Sequence, residues 1–141
     1  MKPHLLALTT AVLWGVGGYF EKRGLHHGNL SPRMGITIRT AVALVILSIV
    51  SLPHWKTVPQ AGWRALLYMA IGGGVAAGSI AMLCFYSSLK AAPLNRVLPI
   101  AFTAPLFGVL MGCLFGGETL TARGVLGIAM TVGGVVLLTT A

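Results

Sequence analysis

Acidic residues are scarce in this 141-residue chain, which has two of them against ten Lys and Arg residues. Charged residues of both signs make up 9% of the sequence, far below the roughly 25% of soluble domains. This composition argues against a water-soluble fold. The two acids, Glu21 and Glu118, lie at the ends of apolar segments and not within them.

Patterns that bind metals or carry out catalysis are also missing from the sequence. No nucleophile, base and orienting acid occur together. His26 and His27 are adjacent in a loop, which places them poorly to share a metal ion, and Cys84 and Cys113 fall in apolar segments where packing is their ordinary role. We therefore expect no enzyme activity, no metal site and no cofactor.

Long neutral intervals occupy most of the chain, and each is close to the about 17 to 25 apolar residues that one membrane-spanning helix needs. Backbone groups in lipid must be paired within their own segment, which favours helices over open sheets. The sequence predicts an all-α membrane protein, a single domain over 1–141 with about five helices. The predicted helices cover 5–20, 34–52, 64–87, 94–116 and 122–139.

Three local strings are distinctive: Trp14-Gly15, the stretch from Ser88 to Pro99, and Gly116-Gly117-Glu118-Thr119-Leu120-Thr121. In this order and spacing they resemble one repeat of the EamA-type transporters of the drug/metabolite transporter superfamily. The resemblance covers nearly the whole chain. Members usually carry two five-helix repeats of inverted topology, whereas this chain carries one. The difference indicates that the chain is half of an inverted-repeat ten-helix transporter, either as one copy of a dimer or as half of something larger.

The resemblance implies a small secondary transporter in a cell membrane, built as an antiparallel homodimer in which two copies supply the inverted repeats. Its substrate would be a small organic metabolite or drug-like molecule. Because no acid lies near the middle of a helix, we expect a neutral, zwitterionic or weakly polar substrate. Two alternatives stay open: a subunit of a heteromeric transporter or lipid-linked sugar flippase, and a membrane scaffold that transports nothing.

Loop charges give a separate indication of the antiparallel arrangement, because Lys and Arg in short loops normally fix orientation. In the five-helix topology one face receives Lys2, Lys56, Arg64 and Arg123. The other receives Lys22, Arg23, Arg33, Lys90 and Arg96, with Arg39 as a further contributor. So small a difference favours insertion in both orientations.

Two prolines in the fourth predicted helix, Pro99 and Pro105, free the carbonyls of Asn95 and Ala101 from their usual partners. Such carbonyls are tolerated in a membrane where protein or a water-filled cavity satisfies them. We expect a cavity there, lined by nearby polar and aromatic side chains. The candidate substrate-binding residues are Trp14, Tyr19, Arg39, Tyr86, Asn95 and Thr103.

Each of these candidates has a simpler alternative. The rings of Trp14, Tyr19 and Tyr86 could belong to an aromatic belt at the membrane interface. Arg39 could extend its head to the interface as an anchor, or face the interior and bind an anionic group. For Glu21 an interfacial ion pair is favoured over a substrate or proton site.

Structural roles are also favoured for the other marked positions. Glu118 belongs to a turn, and Thr121 can cap the last predicted helix. Glycines at 108, 112 and 116 share one helix face, which predicts close packing against another helix of this chain or of a second copy.

Overall fold

The computed structural model describes residues 3–140, which leaves Lys2 of the loop-charge argument outside the described part. Helices account for nearly all of this range, and it contains no strand. The helices are α1 (Pro3–His27), α2 (Pro32–Ser51), α3 (Gly62–Tyr68), α4 (Ala81–Ala91), α5 (Leu94–Ala101), α6 (Ala104–Phe115) and α7 (Ala122–Thr140). A 3₁₀ segment, Leu52–Ala61, precedes α3, and a π-helical segment, Met69–Ile80, follows it.

Three helical stretches within residues 3–140 are long and apolar enough to cross a membrane: Pro32–Ala91, Leu94–Phe115 and Ala122–Thr140. The first has 60 residues and contains the second and third predicted helices. α1 is less apolar, because it contains His4 near its start and the charged run from Glu21 to Arg23 in its C-terminal part. The prediction of an all-α membrane protein is confirmed.

The 60-residue stretch is not one straight rod, since a single crossing needs only about 20 residues. Gly62 has a φ of +77°, a conformation that glycine adopts without the Cβ clash of other residues, and it interrupts the helical path. The beginning of α2 and residues 83–87 of α4 line a common groove, so the chain returns on itself between them.

The chain forms two compact units. Within the described residues, unit 1 consists of residues 3–18 and 92–140, and unit 2 of residues 19–91. In unit 1, α5 packs against α7, and Leu98 reaches Gly18 of α1. In unit 2, α2 packs against α4.

Few side chains are buried within either unit. Leu25, Ile36, Tyr86 and Leu89 form the small core of unit 2, and Val97 is buried in unit 1. In each of the three membrane-length stretches, at most 6% of the most apolar 18-residue window lies inside the protein. Most of the apolar surface therefore faces outward, as it does when lipid or a second chain covers it.

Helix ends in unit 2 are tied together by two lysines. Lys22 of α1 donates to the carbonyl of Leu89 near the end of α4 (3.0 Å), and Lys90 of α4 donates to the carbonyl of Leu25 near the end of α1 (3.0 Å). Lys90 also donates to the side chain of Asn29 (3.1 Å). Positive side chains at helix C-termini offset the partial negative charge of the exposed carbonyls.

The fourth predicted helix is divided into α5 and α6. α5 ends at Ala101 and α6 begins at Ala104, with Phe102 and Thr103 between them. Pro105, in the first turn of α6, has no N–H to give to the carbonyl of Ala101, which is the physical cause of the break.

The turn between α6 and α7 follows the predicted chemistry at Thr121, whose hydroxyl accepts a hydrogen bond from the Gly124 N–H (3.2 Å). The capping role of Thr121 is confirmed. Gly117 has a φ of +67° and reverses the chain after α6.

The glycine stripe of α6 does not pack against another helix within the described residues. A Cβ on Gly108 would meet nothing within 4 Å, and the three atoms nearest to one on Gly116 would be backbone atoms of Gly112. One on Gly112 would lie 2.6 Å from the Glu118 carboxylate oxygen Oε2, so that glycine makes room for a turn side chain. Of the two expected alternatives, packing within the chain is not seen at Gly108, and packing across a dimer stays a prediction.

Candidate functional site

A cavity of about 280 Å³ lies in unit 1, just after the break that divides α5 from α6. One wall comes from the break and the first half of α6, and the other from Leu120 and the first half of α7. Two glycines of α7, Gly124 and Gly127, take part in the second wall. A Cβ on Gly127 would meet nothing within 4 Å, so this part of the wall is open.

Aromatic and hydroxyl side chains meet at this cavity. Phe102 and Thr103 both line it, and the ring of Trp14 lies 5.8 Å from the ring of Phe102, centroid to centroid. On the opposite wall Thr131 contributes a second hydroxyl. Asn95, in the first turn of α5, is exposed and does not line this cavity.

A charged cluster lies in unit 2, where α1, α2 and α4 come together. The Nε atom of Arg39 donates to the Glu21 carboxylate over 2.9 Å, and the Tyr86 side chain lies beside the same carboxylate. Gly35 of α2 permits this approach, because a Cβ there would lie 2.7 Å from Leu25 and 3.1 Å from the Tyr86 ring.

Burial distinguishes the three members of the cluster. The Tyr86 residue is only 2% exposed, whereas the side chains of Glu21 and Arg39 are 23% and 39% exposed. Tyr86 is therefore part of the protein interior and not of a belt on its surface. The carboxylate offsets the charge of Arg39, which agrees with the ion-pair interpretation of Glu21.

Tyr19 is placed differently from Tyr86. It is 48% exposed, its hydroxyl accepts from the Arg23 guanidinium (3.2 Å), and that guanidinium also lies over its ring. An exposed ring with a polar tip and a neighbouring cation fits the interfacial role.

Four of the six predicted substrate-binding residues thus separate into two groups, and Tyr19 and Asn95 belong to neither. In unit 1 the structure places Thr103 on the cavity and Trp14 against the cavity wall residue Phe102. In unit 2 it joins Arg39 and Tyr86 through Glu21.

The sequence reasoning omitted Glu21, Phe102 and Thr131 from the site. For Glu21 the signal was its rarity as one of two acids. The sequence did not indicate Thr131, because a single threonine in an apolar helix cannot be recognised as part of a site until the residues around it are known.

Among residues 3–140, no three His, Cys, Asp or Glu side chains lie close enough to hold a metal ion together. A second, open groove of about 580 Å³ runs between the start of α2 and α4, past Ser31, Arg33, Cys84 and Ser87.

Comparison with known proteins decides the family. The model of the EamA-like transporter family matches residues 1–140, which is nearly the entire chain and includes both units. The chain belongs to the EamA-like transporter family. The resemblance seen in the three local strings is thereby confirmed, and with it the drug/metabolite transporter superfamily.

Two curated relatives are of similar length to this EamA-like protein. An uncharacterized protein of Methanocaldococcus jannaschii is 28% identical over 134 residues, which cover 95% of this chain and 93% of the relative. An uncharacterized transporter in the cobO 3′ region of Sinorhizobium sp is 27% identical over 134 residues, 94% of this chain and 92% of the relative. No solved structure shows a significant match.

Proposed function

We propose that this EamA-like protein is a secondary transporter that moves a small organic molecule across the cell membrane by alternating access, as an antiparallel homodimer. One observation carries the proposal: a transporter family matches nearly the full chain, and the chain contains a single repeat. Two opposed copies would supply the inverted pair on which such transporters are commonly built.

The exposed apolar surface supports assembly with a second copy. Helices in lipid gain little from the hydrophobic effect and associate through close packing, for which small residues on an open face are suited. Gly108 offers such a face on α6, and α7 offers Gly133 and Gly134, all with nothing within 4 Å of an added Cβ. The two relatives of similar length also fit a single repeat as a unit of assembly.

The cavity in unit 1 supports transport over a scaffold role. A scaffold needs packed helices, whereas this protein keeps an open space beside a broken helix, where two threonine hydroxyls and an aromatic ring are accessible to a small molecule. Broken helices at binding sites are a recurring feature of secondary transporters.

Flux measurement with the purified protein in liposomes tests the proposal. We expect counterflow of at least one compound from a panel of neutral and zwitterionic amines, amino acids and sugars, and none in liposomes with a Gly127→Leu variant that fills the cavity. The matched control is Gly24→Leu in α1, which also enters open space but lies outside the cavity and outside the glycine face assigned to the dimer, and which keeps its flux. Absence of flux from a folded, dimeric wild type overturns the proposal in favour of a scaffold or a heteromer.

A further inference from the structure

The polar atoms of the unit 1 cavity share one property: they are placed to accept hydrogen bonds. The Thr103 hydroxyl donates its hydrogen to the carbonyl of Ile100 (2.8 Å), and the Thr131 hydroxyl donates to the carbonyl of Gly127 (2.9 Å). A hydroxyl has one hydrogen and two lone pairs. With the hydrogen engaged, each oxygen can offer only lone pairs to a molecule in the cavity.

The backbone beside the cavity adds to this acceptor character. Pro105 lines the cavity and has no N–H, so the carbonyl of Ala101 lacks its usual helical partner. Among residues 3–140, none of the side chains that line this cavity carries a charge or a free N–H.

This chemistry disfavours anions and favours hydrogen-bond donors. A carboxylate in the cavity would lose water without gaining a donor, and an unpaired charge is costly to move out of water. A ligand with an N–H or O–H group can instead bond to the threonine oxygens. Its apolar part can lie against Phe102, Leu106, Val109 and Ile128.

Size is the remaining criterion. An apolar cavity of about 150 Å³ accommodates benzene, so the 280 Å³ here has room for a fused two-ring molecule. We propose that the unit 1 cavity binds a small uncharged ring compound through a hydrogen-bond donor, with Thr103 and Thr131 as the accepting residues. As a statement about the transported substrate this rests on the transport function proposed above, whereas as a statement about binding it does not.

Indole and benzofuran are suitable probes, because they have nearly the same shape and differ in that an N–H replaces a ring oxygen. Binding is measured by equilibrium dialysis against the full-length protein in lipid nanodiscs, with empty nanodiscs to subtract partitioning into lipid. We expect indole to bind about tenfold more tightly than benzofuran, the size of effect that one neutral hydrogen bond can give.

Two threonine variants decide which atoms are responsible. Thr131→Val removes the accepting oxygen with little change of shape, and we expect it to reduce the preference for indole to about twofold. Thr139→Val is the control: Thr139 is on the same helix and donates to the carbonyl of Val135 (2.9 Å) in the same way, but lies outside the cavity. It should keep the full preference.

Equal binding of the two probes, or a preference that survives Thr131→Val and Thr103→Val together, overturns the inference, as does the absence of saturable binding. The flux experiment is independent of this result. Flux of other compounds without indole preference contradicts the acceptor site alone, and indole preference without any flux contradicts the transport function alone.

Discussion

At the scale of single residues, the Glu21 carboxylate organises unit 2, because it accepts from Arg39 of α2 and lies beside Tyr86 of α4. Arg39 was expected either to reach the interface or to bind an anionic substrate, and in the structure its Nε atom is bonded to Glu21 instead. An arginine with a fixed counter-charge is less costly near lipid than an isolated one. This ion pair therefore explains how Arg39 is tolerated within the apolar part of α2.

The charge pair gives a prediction for stability. Glu21→Gln and Arg39→Gln each leave one charge without its partner, whereas the double variant leaves two neutral amides. Because the pair is partly exposed, we expect a coupling energy of about 0.5 to 1 kcal/mol. The double variant should therefore lose less stability than the sum of the losses in the two single variants. The measurement is the free energy of unfolding in detergent micelles.

Arg23→Gln is the matched control, because Arg23 contacts Tyr19 and should show no coupling to Glu21→Gln. Strict additivity of the Glu21 and Arg39 changes would contradict a stabilising pair. The double variant also tests whether transport needs the Glu21 carboxylate. We expect this variant to keep its flux, because Glu21 and Arg39 pair with each other and not with the substrate.

At the scale of elements, the turn from α6 to α7 shows how one glycine and one carboxylate depend on each other. A Cβ on Gly112 would collide with Oε2 of Glu118, while the same change at Gly108 would enter open space. The bulk of a new side chain at Gly112 must therefore displace Glu118 or distort α6.

We predict that Gly112→Leu lowers the free energy of unfolding by about 1 to 3 kcal/mol, as overpacking does, and that Glu118→Ala recovers part of this loss by removing the obstructing carboxylate. Gly108→Leu, one turn earlier, should cost less in the monomer. Chemical denaturation of five proteins compares these values: the wild type, Gly112→Leu, Glu118→Ala, the double variant of Gly112 and Glu118, and Gly108→Leu. An equal cost of Gly112→Leu with and without Glu118 would show that the carboxylate is not the obstruction, and a loosened dimer in Gly108→Leu would indicate a role for the stripe between copies.

The positions of the helices could be predicted from the sequence because uncharged runs are interrupted by charged or turn residues. α2 and α7 differ from their predicted bounds by two residues or fewer at either end. α1 continues well past Phe20 to His27. Glu21 and Lys22 of α1 have partners on other helices, and Lys90 donates to the carbonyl of Leu25, so the helix can continue through its charged residues.

Other features were outside the reach of sequence reasoning. The π-helical segment Met69–Ile80 is apolar throughout, and a run without a polar face contains no periodicity that could distinguish 3.6 residues per turn from a wider turn. The prolines correctly indicated a disturbed fourth helix with a cavity beside it. The opposite wall from α7 depends on tertiary packing, which is why Thr131 was missed.

At the scale of the whole molecule, a single repeat has no internal symmetry, and the proposed transporter requires a second copy in the opposite orientation. The near balance of Lys and Arg between the two sets of loops gives little basis for a preferred orientation.

We predict that roughly half of the molecules in intact cells expose the α1–α2 turn on the outside. The measurement is labelling by a membrane-impermeant thiol reagent of a His27→Cys variant in which Cys84 and Cys113 are replaced by serine. His27 is preferable to Asn29, because Asn29 accepts from Lys90 and has a φ of +44°.

Labelling of nearly all or nearly none of the molecules would exclude dual topology and leave a parallel dimer or an unlike partner. The control adds Lys residues next to His27 to bias the orientation. It should move the labelled fraction strongly in one direction, which shows that the assay resolves the two populations.

The lysine caps of unit 2 have a mechanical consequence. α1 and α4 each provide a lysine that donates to a carbonyl near the C-terminus of the other helix. Lys22 donates to Leu89, and Lys90 donates to Leu25. A translation of α1 along α4 would lengthen at least one of these bonds, so the axial register of the two helices is locked at this end.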